Sequence, residues 1–259
     1  MQNLKGKRAV ITGGSQGLGL AMVEALVACG ANVTAISRDK AKFAAAEQAG
    51  AAMIAGDATD ATLMNSVVRE EAPDVLILNA GARLPIKPID QLSWDEFSIV
   101  WNTDVKAGLV GIQAALHTPM KPGSRVLVMS SGAAMVLAVP FIAPEDLRLS
   151  GGYVGAKRML WFMAHSANTV SRERDLGVNF QVLAPLQLIP GTTLGHQVAA
   201  ACAEVEGISI DELVTQRYGS ILRPAQVGEQ VAELLGDPSY LQGVAYGFRN
   251  DSDIQPLDV

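Results

Sequence analysis

Seven short runs of β-branched and aliphatic residues recur along the chain: RAVIT (8–12), NVTAIS (32–37), AAMIA (51–55), DVLIL (74–78), RVLVMS (125–130), VNFQVLA (178–184) and GVAYGF (243–248). Longer stretches of helical spacing lie between them, so β and α segments alternate almost throughout. Strands with so little apolar/polar alternation must be buried on both faces, which calls for a parallel sheet with helices on either side. No linker rich in Gly, Ser or Pro divides the chain, and no internal repeat or low-complexity segment interrupts it. With 259 residues, 49% of them hydrophobic, there is material for a large core. One doubly wound α/β domain over 1–259, with about seven strands, is expected.

The formal net charge of -6 disfavours nucleic acid and anionic membrane surfaces as partners. The amino terminus, MQNLKGKRAVITGG, passes from polar residues straight into the first run, without the pattern of a secretory signal. The longest apolar stretch, AAMVLAVPFIAP (133–144), holds two prolines and falls short of the roughly 20 residues that span a bilayer. A cytoplasmic location is expected. Cys29 and Cys202 are too few for a disulfide framework and read as buried small apolar side chains. His117, His165 and His196 form no ligand-spaced cluster, so no metal is expected.

Directly after the first run comes TGGSQGLG (12–19), which opens a helical stretch. Gly13, Gly17 and Gly19 allow a sharp turn and let backbone N–H groups approach a phosphate, with Ser15 and Leu18 in the same turn. A tight strand-to-helix connection is the plainer alternative, but the position after the first strand favours a pyrophosphate site. No Gly-Lys-Ser/Thr follows, which disfavours a phosphate-loop NTPase. At the end of the second run, Arg38 suits the 2′-phosphate of NADP, while Asp39 beside it leaves NAD open. Asp57-Ala58 and Asn79-Ala80-Gly81 follow the third and fourth strands, where ligands sit in such sheets. Farther on, SGGYVGAK (150–157) places Tyr153 and Lys157 four residues apart, on one helix face.

In this order and on these elements, TGGSQGLG, LNAG, SS and YVGAK resemble the short-chain dehydrogenase/reductase family, from about residue 6 to about residue 248. The resemblance implies a Rossmann-type fold and an oxidoreductase that moves a hydride between a nicotinamide cofactor and a carbonyl or secondary alcohol. It implies cofactor contacts at Gly13, Gly17 and Gly19, at Asp57 beside adenine, and at Asn79 to Gly81. Tyr153 then matches the catalytic acid or base, Lys157 its charge partner and a cofactor ligand, and Ser131 the hydroxyl that polarises the carbonyl. An adjacent ammonium favours a phenolate, in keeping with those roles.

Three departures stand out. Spacing places Asp104, not Asn102, where the family has an asparagine; an ionised carboxylate there could pair with Lys157 or join a proton relay. Ser131 and Tyr153 are farther apart than in the family, suggesting an insertion around 140–149. After the sixth strand the family's Pro-Gly becomes Pro185-Leu186, with Pro190 in place of its threonine and Thr192 and Thr193 close behind. Pro185 and Leu188 are the expected cofactor residues of that loop.

The segment 186–223 would cover the substrate. Leu186, Leu188, Ile189, Met135 and Leu137 would make the pocket apolar, although such side chains are more often core. Trp101, Trp161 and Phe162 fall on the helices of the family's main subunit contact, which implies a homotetramer or homodimer, with core packing as the alternative. The expected activity is an NADP-dependent oxidoreductase for a small, largely apolar carbonyl or alcohol. A cofactor-binding sensor or scaffold with weakened catalysis, motivated by Asp104, is the rival, and an isomerase or dehydratase on the same frame is a third.

Overall fold

The structure is a computed structural model that describes residues 4–135 and 152–257. Seven parallel strands, β1 (Arg8–Thr12), β2 (Asn32–Ser37), β3 (Ala52–Ala55), β4 (Val75–Leu78), β5 (Arg125–Met129), β6 (Asn179–Pro185) and β7 (Ala245–Phe248), lie in the order β3-β2-β1-β4-β5-β6-β7. The runs singled out in the sequence coincide with them to within two residues at each end. An eighth strand, β8 (Gln255–Pro256), pairs antiparallel with β7 and extends the edge. At two residues it is too short to leave a periodic signal.

The strand order reverses between β1 and β4, where Ile11 sits beside Ala35 of β2 on one side and Ile77 of β4 on the other. Beyond the carboxyl ends of strands at such a switch point lies the crevice that binds ligands. Alternate residues of each strand feed two cores. Ile11, Leu127 and Phe248 pack on one face with Met22 and Leu26 of α1 (Gly17–Ala28) and Val231 of a later helix, α9 (Pro224–Gly236). Val10, Leu76, Val126 and Phe180 pack on the other with Val67 of α3 (Ala61–Glu71), Ala114 of α5 (Lys106–His117) and Leu160 of α6 (Tyr153–Glu173). The short α2 (Ala44–Gln48) adds Ala46 to the first core.

Several helices carry their start signals in sequence. Asp60 accepts from the Thr62 and Leu63 N–H groups at α3. Ser93 with Glu96, and Ser209 with Glu212, form capping boxes on α4 (Trp94–Val100) and α8 (Ile210–Tyr218). Thr192 caps α7 (Thr193–Glu206). The start of α1 differs, because Gln16 at its N-cap supplies no side-chain hydrogen bond. Its orphan N–H groups are left for a ligand.

Between α4 and α5 the helix widens into one π-helical stretch, Trp101–Val105, inside a segment that reads as plain helix in sequence. Cys202 is buried as expected, but Cys29 is only half-buried. It ends α1, where the chain turns back toward β2, and the surrounding core does not close over it. Among the described residues no helix is long and apolar enough to cross a membrane, and no group of three or more His, Cys, Asp and Glu is placed to hold a metal.

Candidate active site

Beyond the carboxyl ends of the strands opens a cavity of about 420 Å³. The first part of its wall is tied together by Thr12. Its hydroxyl donates to the Ile77 carbonyl at 3.3 Å and accepts from the N–H groups of Asn79 and Ala80 at 2.9 and 3.1 Å. The Asn79 side chain donates to the carbonyls of Thr12 and Gly13, so it braces the turn against β4. Gly13 has φ +71°, in the left-handed region, and a Cβ there would lie 3.0 Å from the Ala80 Cα. A Cβ on Gly19 would fall 2.0 Å from the Gly13 carbonyl oxygen, an impossible contact. Any side chain at position 19 would thus push the turn off the end of α1, where a pyrophosphate would meet the free N–H groups of Gly17 to Gly19.

At the outer end of this wall the hydroxyls of Ser15 and Ser37 are 2.8 Å apart, next to Arg38. The Arg38 guanidinium is largely exposed and stands 3.9 Å from Asp57. The Thr59 backbone N–H foremost, with Arg38 adding to it, holds the Asp57 carboxyl below the usual carboxylate range despite partial burial. A pair this exposed is weak, and Arg38 can exchange it for a phosphate at little cost. Ala58, Ala80 and Gly81 continue the wall toward the interior.

The floor holds the ionisable centre. Lys157, one turn along α6 from Tyr153, is 6% exposed, and Asp104 is 3% exposed. Lys157 Nζ donates to Asp104 Oδ2 at 3.0 Å and to the Met129 carbonyl at 3.3 Å, and it sits 5.5 Å from the centre of the Tyr153 ring. Asp104 Oδ1 accepts from the Ala82 N–H at 2.7 Å. A Cβ on Gly81 would be 3.0 Å from Asp104 Oδ2, so the carboxylate fills the space left by that glycine. The π-helical stretch turns Asp104 inward while Asn102 faces solvent. Burial alone would lower the Lys157 pKa, but the Asp104 carboxylate and, to a smaller extent, Tyr153 override it, and the ammonium titrates above its ordinary value.

Ser131 follows β5, and its Oγ accepts from the Ala133 N–H at 3.2 Å, which leaves its own O–H to donate into the cavity. The adjacent Ser130 donates to the Lys157 carbonyl at 2.9 Å, pinning the start of α6 to the end of β5. A Cβ on Gly152 would come within 2.4 Å of the Phe97 carbonyl oxygen, which accounts for a glycine just before Tyr153. Pro185, the last residue of β6, and Leu186, Leu188 and Ile189 after it line the opposite side. Met135 is half-buried and packs against the core instead, Leu137 and the expected insertion at 140–149 lie outside the described residues, and Trp161 is buried whereas Phe162 is 65% exposed.

The cavity therefore gathers Ser131, Tyr153, Lys157 and Asp104 with the glycine turn, Leu18, Arg38 and Asp57. Contributors not singled out in the sequence include Thr12, the Ala82 backbone, Arg83 and Gln197. The first two act through the ends of β1 and β4, where a strand-end threonine next to a glycine turn was the available signal. Arg83 and Gln197 carry none, since only the fold brings their loop and helix to the cavity wall.

Residues 7–143 match the sequence profile of the family described as short chain dehydrogenase. The chain belongs to this family. Rat L-fucose dehydrogenase is 24% identical over 253 residues, covering 92% of this short-chain dehydrogenase and 86% of the relative. Oxidoreductase asL5 of Sarocladium schorii is 28% identical over 209 residues, with 76% and 79% covered. Among solved structures, a short chain dehydrogenase of Burkholderia cenocepacia in complex with NADP matches with a TM-score of 0.73 over 95% of this chain and 96% of that one, at 24% identity. That likeness bears on the fold. Membership of the family makes this chain an oxidoreductase acting on CH–OH groups with NAD(P).

Proposed function

We propose that this short-chain dehydrogenase uses NADP to interconvert a carbonyl and a secondary alcohol on a small, largely apolar molecule. The observation that carries the reading is the meeting, in one cavity, of the Tyr153–Lys157–Ser131 group with the uncapped start of α1 and Arg38. The residues suit the cofactor. Gly17 to Gly19 would hold its pyrophosphate, Ser15, Ser37 and Arg38 its 2′-phosphate, Asp57 and Ala58 its adenine, and Lys157 a ribose hydroxyl. The bound cofactor would supply or accept the hydride.

For reduction, Tyr153 donates a proton to the carbonyl oxygen while the Ser131 hydroxyl stabilises the charge that develops there. For oxidation the same tyrosine removes the alcohol proton. Asp104 acts through Lys157, holding the ammonium in place and offsetting part of its field at Tyr153. The carboxylate also motivates a second reading, a sensor that binds cofactor without turning it over, but an ordered and protonated Lys157 favours catalysis. Residues 186–223 form the cover of the substrate end, where Leu194 and Val198 pack toward Tyr153.

The test compares wild type and Arg38→Asp with NADPH and NADH against a panel of aldehydes, ketones and quinones. Wild type is expected to oxidise NADPH in preference to NADH, and the variant to lose about tenfold or more of that preference, the worth of a charge-assisted phosphate contact. A preference that stays put contradicts the cofactor assignment. NADPH binding without reduction of any panel member favours the sensor.

A further inference from the structure

Five charged side chains line the cavity, and four of them are paired: Lys157 with Asp104 at 3.0 Å, Arg38 with Asp57 at 3.9 Å. The fifth, Arg83, has no hydrogen-bond or carboxylate partner among the described residues. Its backbone is nevertheless fixed on both sides. The Ala82 N–H is bound to Asp104, and Leu84 is buried with Val100 and Ala156 beside the Tyr153 ring. Arg83 is exposed to solvent at the cavity wall, but it projects from the residue between two anchors of the ionisable centre.

The loop that carries Arg83 packs against α7, whose Leu194 and Val198 join Leu84 and Ile86 in one apolar cluster. From the same stretch of α7, Gln197 also lines the cavity, and its Oε1 is buried without a partner. An unpaired buried acceptor costs stability in the free protein. Turned over about its terminal torsion, the carboxamide keeps its shape and places its NH2 in that position. Two groups able to donate, one of them cationic, then flank an otherwise apolar wall. Arginine matches carboxylate geometry better than any other cation, through paired N–H donors.

We propose that the substrate ends in a carboxylate, held by Arg83 with Gln197 as a second donor, while its apolar middle lies along Leu84, Leu194 and Val198. The substrate class is then an oxo or hydroxy carboxylic acid, an inference that rests on the oxidoreductase reading above. The shared chemistry of anionic oxygen admits one other source, the phosphates of the cofactor, and the experiment separates the two.

Calorimetric titrations of butanoate, hexanoate and octanoate, and of the matching primary amides, into NADP-loaded protein test the assignment. At least one acid is expected to bind about tenfold tighter than its amide, the size of a charge-assisted hydrogen bond. Arg83→Met should erase that preference, Arg83→Lys keep part of it, and Gln197→Leu reduce it, all with NADP affinity within about twofold of wild type. Equal binding of acids and amides to wild type, or a preference that survives in Arg83→Met, overturns the proposal. Loss of NADP affinity in Arg83→Met by a factor of about ten assigns the cation to the cofactor and overturns it as well. Failure of wild type to bind NADP contradicts the proposed function itself and removes this inference with it.

Discussion

Asp104 accepts from Lys157 through one oxygen and from the Ala82 N–H through the other, so neither group can move without breaking a buried contact. Removing one partner of such a pair strands the other charge, and Asp104→Asn is expected to destabilise the protein by about 3 kcal/mol at neutral pH. The sign of its pH dependence follows from Lys157, whose folded value is raised. The pair's stabilisation is complete below the ordinary lysine value of 10.5 and is lost as pH rises through the raised one. The gap between wild type and variant, read by denaturant titration, should therefore narrow as pH rises into the strongly alkaline range. In the variant the ammonium acts on Tyr153 without an offsetting carboxylate, so the pH profile of alcohol oxidation should move to lower pH; an unchanged profile removes Asp104 from the proton chemistry. Tyr153 and Lys157 were legible because helical spacing puts them on one face, and Asp104 because the spacing of the family resemblance placed it, not Asn102, at the asparagine position. Arg83 and Gln197 were not, because nothing in a sequence separates a cavity arginine from a surface one until the loop and the helix are brought together.

At the scale of elements, the contrast between capped helices and the bare start of α1 is written in the sequence: Ser93-x-x-Glu96 and Ser209-x-x-Glu212 announce their helices, while α1 opens on Gln16 and glycine. The π-helical stretch at 101–105 was not legible, since its side chains read as ordinary helix and only the packing of Asp104 against Gly81 and Lys157 shows what the widening accomplishes. Another tie between elements involves a buried arginine. Arg125 of β5 donates to Gln181 Oε1 of β6 and to the Leu234 carbonyl in the last turn of α9, both at 2.7 Å. Burial pushes its pKa down to about 10, with Tyr246 nearby opposing the change. Arg125→Met would leave two buried acceptors unpaired, and a loss of about 2–4 kcal/mol is expected in urea unfolding. A loss below about 0.5 kcal/mol, typical of a surface site, would show that the tie is unimportant.

For the whole molecule, strand order places the glycine turn, the Asn79 bend and the Ser131 bend along one edge of the sheet, which is why motifs more than a hundred residues apart in sequence line one cavity. The alternation of apolar runs carried that architecture, and β8 escaped it through its brevity. On the outer surface, α5 and α6 pack closely where Gly108 meets Leu160, and beside that seam Leu109 and Phe162 face outward, 42% and 65% exposed. A subunit contact centred there would account for apolar side chains in that position. Phe162→Asp should then reduce the molar mass found by light scattering from that of a homotetramer or homodimer, with thermal stability of the subunit nearly unchanged; a monomeric wild type contradicts the contact. Hydride transfer coupled to a proton on Tyr153 is measured by NADPH oxidation in wild type and Tyr153→Phe, with NADPH binding followed in parallel. Turnover is expected to fall about 10²–10⁴-fold in the variant with cofactor affinity retained; undiminished turnover in Tyr153→Phe would contradict the proton-transfer role.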